Sequence, residues 1–152
     1  MTAAEIVSIY PELFADMWGS SREGKEYLLP VGDGWYPIVA KLVREIKEVD
    51  EELGVQSRVV QIKEKFGALR FYLDKPQNAH CEMIARAENE STRTCEDCGA
   101  PGKMYNDGWV LTLCREHALD RWQNRFPWKK EILWETCWPH DIVNNSETGG
   151  KN

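Results

Sequence analysis

Four residues in the second half of the chain have the types and the spacing of metal ligands. Two residues separate Cys95 from Cys98, and two separate Cys114 from His117. A Cys-x-x-Cys turn brings two thiolates to one ion without backbone strain, and a Cys-x-x-His pair completes the tetrahedral set that zinc prefers. The sequence therefore predicts one structural zinc ion per chain, because protein side chains would fill all four positions around the ion.

The residues that follow each pair predict how the ligands are positioned. Gly99, Pro101 and Gly102 favour turns directly after the first pair. An apolar run over residues 109–113 predicts a short strand that leads into the second pair, and residues 115–126 have the composition of a helix. A turn, a hairpin and a helix whose first turn carries the last ligands make up a treble-clef-like or ribbon-like zinc finger.

The cysteines have two other interpretations. Unpaired thiols of a reduced protein are one, although the matching spacing of both pairs disfavours it. Disulfides are the other, and they are disfavoured because five cysteines is an odd number. In addition, Glu5 stands where a secretory signal peptide requires a basic segment followed by an apolar run. We therefore expect a cytosolic protein.

Composition divides the chain into four parts. Residues 1–92 are predicted to form an α+β domain, residues 93–126 the zinc finger, residues 127–143 an aromatic-rich extension and residues 144–152 a disordered polar tail. No apolar stretch reaches the length that crosses a membrane.

Helices and one β-hairpin account for the first part. Helical periodicity occurs over residues 3–18 and 79–90, and strand composition over residues 58–63 and 69–73 predicts a hairpin that residues 63–67 connect. The clearest helix starts near Pro37, stops at Gly54 and has a charged outer face that includes the run Asp50-Glu51-Glu52. Its apolar face is predicted to consist of Ile38, Leu42, Ile46, Val49 and Leu53.

A second metal site is a less favoured alternative. Cys137 and His140 form another Cys-x-x-His pair, and His80 and Cys81 would have to supply the remaining ligands. Adjacent side chains diverge along a strand and around a helix, so His80 and Cys81 do not readily converge on one ion. We expect one zinc ion per chain and a buried, apolar role for Cys137.

The charge of the chain argues against a general nucleic-acid-binding surface. The formal net charge is −6, and neither the first 92 residues nor the remainder carries a net positive charge. Neutralising a phosphate backbone requires several uncancelled cations on one face. Strong nonspecific binding to DNA is therefore not expected.

A small cationic patch stands out against this acidic background. Lys63, Lys65 and Arg70 fall on the predicted hairpin, and the Asp33–Trp35 turn is the other distinctive segment outside the metal ligands. In one interpretation the lysines keep the hairpin soluble and Trp35 anchors the core. In the other, these three cations together with Asp33 and Trp35 contact a host protein or a small anionic ligand.

Three segments resemble a group of small, largely uncharacterised zinc-finger-containing proteins encoded by bacteriophages and prophages. The likeness covers roughly residues 10–120 and keeps the same segment order. It implies a phage setting, hence the host cytoplasm, and a zinc finger, but no activity. The segments that show the resemblance are Gly32-Asp33-Gly34-Trp35, then Gln61-Ile62-Lys63-Glu64-Lys65-Phe66-Gly67-Ala68-Leu69-Arg70-Phe71-Tyr72, and Thr94-Cys95-Glu96-Asp97-Cys98-Gly99 with Gly108-Trp109 and Leu113-Cys114.

Few residues are available for catalysis. Zinc would occupy His117, which leaves His80 and His140 and no recognisable nucleophile–base pair. We therefore expect a non-enzymatic, zinc-binding phage accessory protein that binds a host component, for example as an anti-defence factor. A nucleic-acid-associated regulator and, less favoured, a metal-dependent enzyme are the alternatives.

Overall fold

The described residues form an α+β fold with two small antiparallel sheets. The computed structural model describes residues 1–17, 29–106 and 108–125. β1 pairs with β2, and β3 pairs with β4. The described elements are α1 (Ala3–Ile9), α2 (Tyr36–Leu53), β1 (Val59–Lys65), β2 (Ala68–Leu73), α3 (Asn78–Ser91), β3 (Lys103–Asn106), β4 (Val110–Leu113) and α4 (Arg115–Arg125).

Helix α1 is short because its sequence carries a start signal and an early stop. Thr2 caps the first turn, accepting a hydrogen bond from the Glu5 N–H while the Glu5 carboxylate accepts one from the Thr2 N–H. Pro11 then begins a separate 3₁₀ turn, Pro11–Phe14. The predicted helix over residues 3–18 is therefore two elements, and both contribute apolar side chains to the core.

Helix α2 begins and ends at its predicted signals. Pro37 lies in its first turn, and Gly54 ends it with a φ of 64°, in the left-handed region that glycine adopts readily. The apolar face, however, is rotated relative to the prediction near its end. Leu53 is 52% exposed, whereas Asp50, which was assigned to the outer face, is 2% exposed.

Buried Asp50 joins three elements to α2. Its carboxylate accepts hydrogen bonds from the Tyr10 hydroxyl at 2.7 Å and from both the backbone N–H and the hydroxyl of Ser57, at 2.7 and 2.8 Å. His80 Nε2 lies 3.0 Å from the same carboxylate. His80 Nδ1 accepts the Gln77 N–H at 3.0 Å, so the neutral imidazole carries its proton on Nε2. Tyr10 and Ser57 thus donate to the Asp50 carboxylate, whereas His80 Nε2 lies close to it without forming a hydrogen bond.

The β1–β2 hairpin is tighter than the sequence suggests. Lys65 pairs with Ala68, so the loop contains only Phe66 and Gly67, both with positive φ. Two-residue loops of this type match the twist of the paired strands. Lys63 and Lys65 therefore lie on strand β1 and not in a connecting loop, which corrects the predicted connection over residues 63–67.

The core lies between this hairpin and helices α1, α2 and α3. Leu69, Phe71 and Leu73 point inwards from β2, and Tyr72 points outwards, as the strand period predicts. Helix α3 contributes Met83 to the same cluster. A smaller apolar cluster lies under the β3–β4 hairpin and α4.

Some predictions fall outside the described residues. They are the extension over residues 127–143, the tail over residues 144–152 and the Cys137–His140 pair. Among the described helices, none has the length and apolar character needed to span a bilayer.

Removing the Asp50 carboxylate should destabilise the fold strongly. Asp50→Ala leaves the Tyr10 hydroxyl and the Ser57 N–H and hydroxyl buried without an acceptor, so we expect the free energy of unfolding to fall by about 3 kcal/mol. The measurement is equilibrium denaturation in urea. Glu51→Ala, at the exposed neighbouring position, is the control and should change the value by less than about 0.5 kcal/mol. Equal, small effects of both substitutions would show that the cluster does not stabilise the fold.

Candidate metal centre

The first ligand pair lies in a turn that backbone hydrogen bonds close. We call residues 95–99 the cysteine turn. The Gly99 N–H donates to the Cys95 carbonyl at 2.9 Å, and the Cys95 N–H donates to the Ala100 carbonyl at 2.8 Å. Gly99 has a φ of 76°, which a side chain would disfavour. The turn therefore directs Cys95 and Cys98 to the same side.

The second ligand pair lies where β4 passes into α4. Cys114 follows β4 directly and its carbonyl accepts the Ala118 N–H at 2.9 Å, which begins the helical hydrogen-bond pattern. His117 is in the first turn of α4. A turn, a hairpin and a helix thus occur in the predicted order, and the last two ligands meet at the helix start.

The four predicted ligands converge. Their ligand atoms lie within 4.8 Å of one another. His117 Nδ1 is 3.5 Å from Cys95 Sγ and 3.2 Å from Cys114 Sγ, and the Cys98 and Cys114 sulfurs are 3.8 Å apart. A tetrahedral ion about 2.3 Å from sulfur and about 2.0 Å from nitrogen would space two sulfurs by about 3.8 Å and a sulfur and a nitrogen by about 3.5 Å. The cluster therefore fits a bound metal ion such as zinc.

The ligands differ in burial, and this affects their chemistry. Cys95 is buried, Cys98 is exposed, and Cys114 and His117 are half-buried. Burial raises the pKa of the Cys95 thiol to about 11. Because a metal binds the thiolate, metal binding must release the Cys95 proton, so affinity will increase with pH.

The cysteine turn is attached to the N-terminal core by the segment that precedes α2. We call residues 32–35 the glycine turn. The Gly34 N–H donates to the Glu96 carbonyl at 2.7 Å, and the Gly32 N–H donates to Glu96 Oε1 at 3.1 Å. The indole N–H of Trp35 donates to the Thr94 carbonyl at 2.8 Å. The metal centre and the core are therefore hydrogen-bonded directly.

Gly34 makes this close approach possible. A Cβ at this position would overlap the Cys95 carbonyl oxygen and would lie 2.5 Å from the Gly99 nitrogen and 2.6 Å from the Glu96 oxygen. All three atoms belong to backbone, which cannot move aside as a flexible side chain can. Glycine at position 34 is thus required by packing between two turns.

A second attachment joins β4 to the tip of the β1–β2 hairpin. The Thr112 hydroxyl donates to the Gly67 carbonyl at 2.6 Å, and this bond is buried. The Thr112 carbonyl in turn accepts the Glu96 N–H at 3.0 Å. Two separate parts of the N-terminal domain, the glycine turn and the hairpin tip, therefore contact the metal-centre region.

The residues predicted to bind a partner do not form one accessible patch. Trp35 is 0% exposed, which corrects its assignment as a partner contact and agrees with the alternative interpretation as a core anchor. Asp33 is exposed. Lys63 and Arg70 face each other across the hairpin, and Lys65 is exposed. Arg70 lies 3.7 Å from the Glu88 carboxylate, so part of its charge is compensated within the protein.

His80 and Cys81 do not form half of a second site. His80 is buried against Asp50 and bonded to Gln77, whereas Cys81 is exposed.

Sequence reasoning missed both Asp50 and the attachment through Glu96. The burial of Asp50 could have been inferred from the sequence, since Asp50 lies four residues after Ile46 and so on the same helix face. The role of Glu96 could not, because two of its three hydrogen bonds use backbone atoms.

Comparisons of the chain with protein-family models, curated proteins and solved structures found no match. The resemblance to phage-encoded proteins therefore stays a prediction.

Adding a methyl group at Gly34 should disturb the fold and the metal centre together. Gly34→Ala forces the two turns apart, so we expect the free energy of unfolding to fall by about 3 kcal/mol and metal transfer to a colorimetric chelator to accelerate. Gly54→Ala is the matched control, because nothing lies within 4 Å of its added methyl. The free energy of unfolding of Gly54→Ala should fall by only about 1 kcal/mol, because alanine is disfavoured at the left-handed φ of this position. Its metal should transfer to the chelator at the original rate. Unchanged metal transfer in Gly34→Ala would argue against the coupling.

Proposed function

We propose that this chain is a non-enzymatic binding protein whose fold a single structural zinc ion stabilises. The observation that supports it is the convergence of three cysteines and one histidine, all within 4.8 Å, on one point. Zinc is the metal that this ligand set favours. Four protein ligands leave no position for water or substrate, which is the property of structural rather than catalytic sites.

We also propose a treble-clef-like arrangement for residues 93–126. In support, the first two ligands lie in a turn, the β3–β4 hairpin follows, and the last ligand lies in the first turn of α4. The small apolar cluster beneath these elements contains only a few buried residues. A core of that size needs a metal ion or a larger neighbour to hold it together.

The setting that we propose comes from the sequence resemblance. A phage accessory protein would act in the host cytoplasm on a host component, and an anti-defence role is the form of action we favour. The buried state of His80 supports the non-enzymatic part, because a side chain enclosed by Asp50 and Gln77 is not placed to meet a substrate.

Purified protein should contain one zinc ion per chain. Cys98→Ser should lose the ion and several kcal/mol of stability, since a closed site contributes directly to folding. Cys98 is exposed, so the substitution itself creates no cavity. Metal analysis by mass spectrometry and thermal melting are the measurements. Cys81→Ser, which alters an exposed cysteine on α3, is the control and should keep both metal and melting temperature.

Two results would contradict this proposal. Absence of zinc from protein purified without chelator would contradict the proposal of a structural zinc ion. Two zinc ions per chain, falling to one in Cys137→Ser, would support the second site instead.

The binding function is tested by capture from host lysate. Immobilised, zinc-loaded protein should retain a defined host protein, and the metal-free Cys98→Ser variant should not, because the contact surface depends on the folded metal centre. Random duplex DNA should show no gel shift at physiological salt, given the net charge of −6. Tight, salt-sensitive DNA retardation without protein capture would favour the nucleic-acid regulator.

A further inference from the structure

Phe66 occupies a position that is unfavourable for its residue type. It is the first residue of the two-residue hairpin loop, it has a φ of 53°, and its side chain is 67% exposed. A left-handed conformation costs a non-glycine residue about 1–2 kcal/mol, and asparagine is the preferred residue here. The exposed ring gains little from burial. A residue in a backbone conformation that is unfavourable for its type, with no stabilising contact to offset the cost, is often functional.

Trp109 is a second exposed aromatic residue at the tip of the other hairpin. It precedes β4 and is 61% exposed. Phe66 and Trp109 together line a groove of about 430 Å³ between the two hairpin tips. That volume is within the range of small ligand sites and accommodates one or two side chains of a bound peptide. The remaining lining residues are Glu64, Lys65, Gly108 and Val110.

The two sides of the groove are held together by the contact between the hairpins. The buried hydrogen bond from the Thr112 hydroxyl to the Gly67 carbonyl joins the two hairpins one residue from Phe66 and two residues from Val110. A Cβ at Gly67 would lie 3.1 Å from Val110 Cγ1, so the two tips are in close contact. Phe66 and Trp109 are therefore each one residue from a strand end, and the contact between the tips fixes the backbone on both sides of the groove.

The charge at the groove favours a particular ligand. Lys65 Nζ lies 5.4 Å from the centre of the Phe66 ring, at the edge of the groove. Glu64 Oε1 accepts the Gly67 N–H at 2.7 Å, so this carboxylate is engaged with the loop. A single ammonium beside aromatic faces suits a carboxylate next to an apolar group. A nucleic-acid strand would require several cations to neutralise its phosphates, and Lys65 is the one cation among the described residues that line the groove.

We propose that the Phe66–Trp109 groove binds an extended peptide segment of a partner protein, in which an aromatic or large aliphatic side chain is flanked by a carboxylate. The apolar side chain enters the groove, and the carboxylate pairs with Lys65. This inference rests on the proposed binding function and gives it a contact surface, in place of the patch that included buried Trp35.

Binding can be tested with short synthetic peptides and the zinc-loaded full chain. The probe is a capped pentapeptide with tryptophan between two glutamates, and the readout is the backbone NMR shifts of Gly67 and Gly108. We expect saturable shifts at these amides. Replacing the peptide's glutamates by lysines or its tryptophan by alanine should weaken binding at least about tenfold. No saturable shift with the first peptide, or tighter binding of a ten-residue oligothymidylate, would overturn the proposal.

Protein variants separate binding from folding. Phe66→Asn should weaken peptide binding at least about tenfold while the melting temperature stays the same or rises, because asparagine tolerates the positive φ. Lys65→Glu should weaken binding without altering the melting temperature. Tyr72→Ser, an exposed aromatic residue of β2 outside the groove, is the matched control and should bind normally. Normal binding by Phe66→Asn would refute the groove.

Lysate capture distinguishes failure of the groove from failure of the binding function. If wild type and Phe66→Asn retain the same host protein equally, the chain is a binding protein that uses another surface, and the groove proposal is wrong. If wild type retains no host protein, the binding function fails, and the peptide titration still decides whether the groove accepts this class of ligand.

Discussion

The backbone contact between Gly34 and the cysteine turn is the constraint on which the arrangement of the molecule depends. It brings two chain segments together without an intervening side chain, at a distance that only glycine permits. The glycine turn also contains buried Trp35. Its indole N–H donates to the Thr94 carbonyl, just before the first candidate metal ligand. Helix α2 starts directly after this turn, so the orientation of the largest helix is linked to the position of the metal centre.

Two polar centres stabilise different parts of this arrangement. Asp50 fixes the end of α1 against α2 through a buried hydrogen bond from Tyr10, and it lies 3.0 Å from His80 at the start of α3. The four candidate metal ligands bring the cysteine turn together with the end of β4 and the start of α4. Both centres depend on several partners at once, because an unpaired buried donor or an incomplete ligand set is costly. Losing one member of either centre therefore affects elements that are distant in sequence.

The hairpin tips show how the fold and the proposed binding surface are connected. The hydrogen bond from Thr112 to Gly67 attaches the metal-centre region to β1 and β2, and the same contact places Phe66 and Trp109 on either side of a groove. The left-handed φ of Phe66 makes the loop less stable than an asparagine would. A ring that is unfavourable for the loop but well placed for contact is consistent with the proposed role in binding.

The sequence by itself determined the features that depend on local patterns. Cysteine and histidine spacing indicated the four metal ligands, and Pro37 and Gly54 indicated the limits of α2, because turn chemistry and helix signals act within a few residues. Only the tertiary structure decided which side chains meet across the chain. The attachment through Glu96 uses its backbone N–H and carbonyl and one side-chain oxygen, and its partners Gly32, Gly34 and Thr112 are distant in sequence. The groove arises where two hairpins touch, and exposure of its rings depends on packing that no short window of sequence contains.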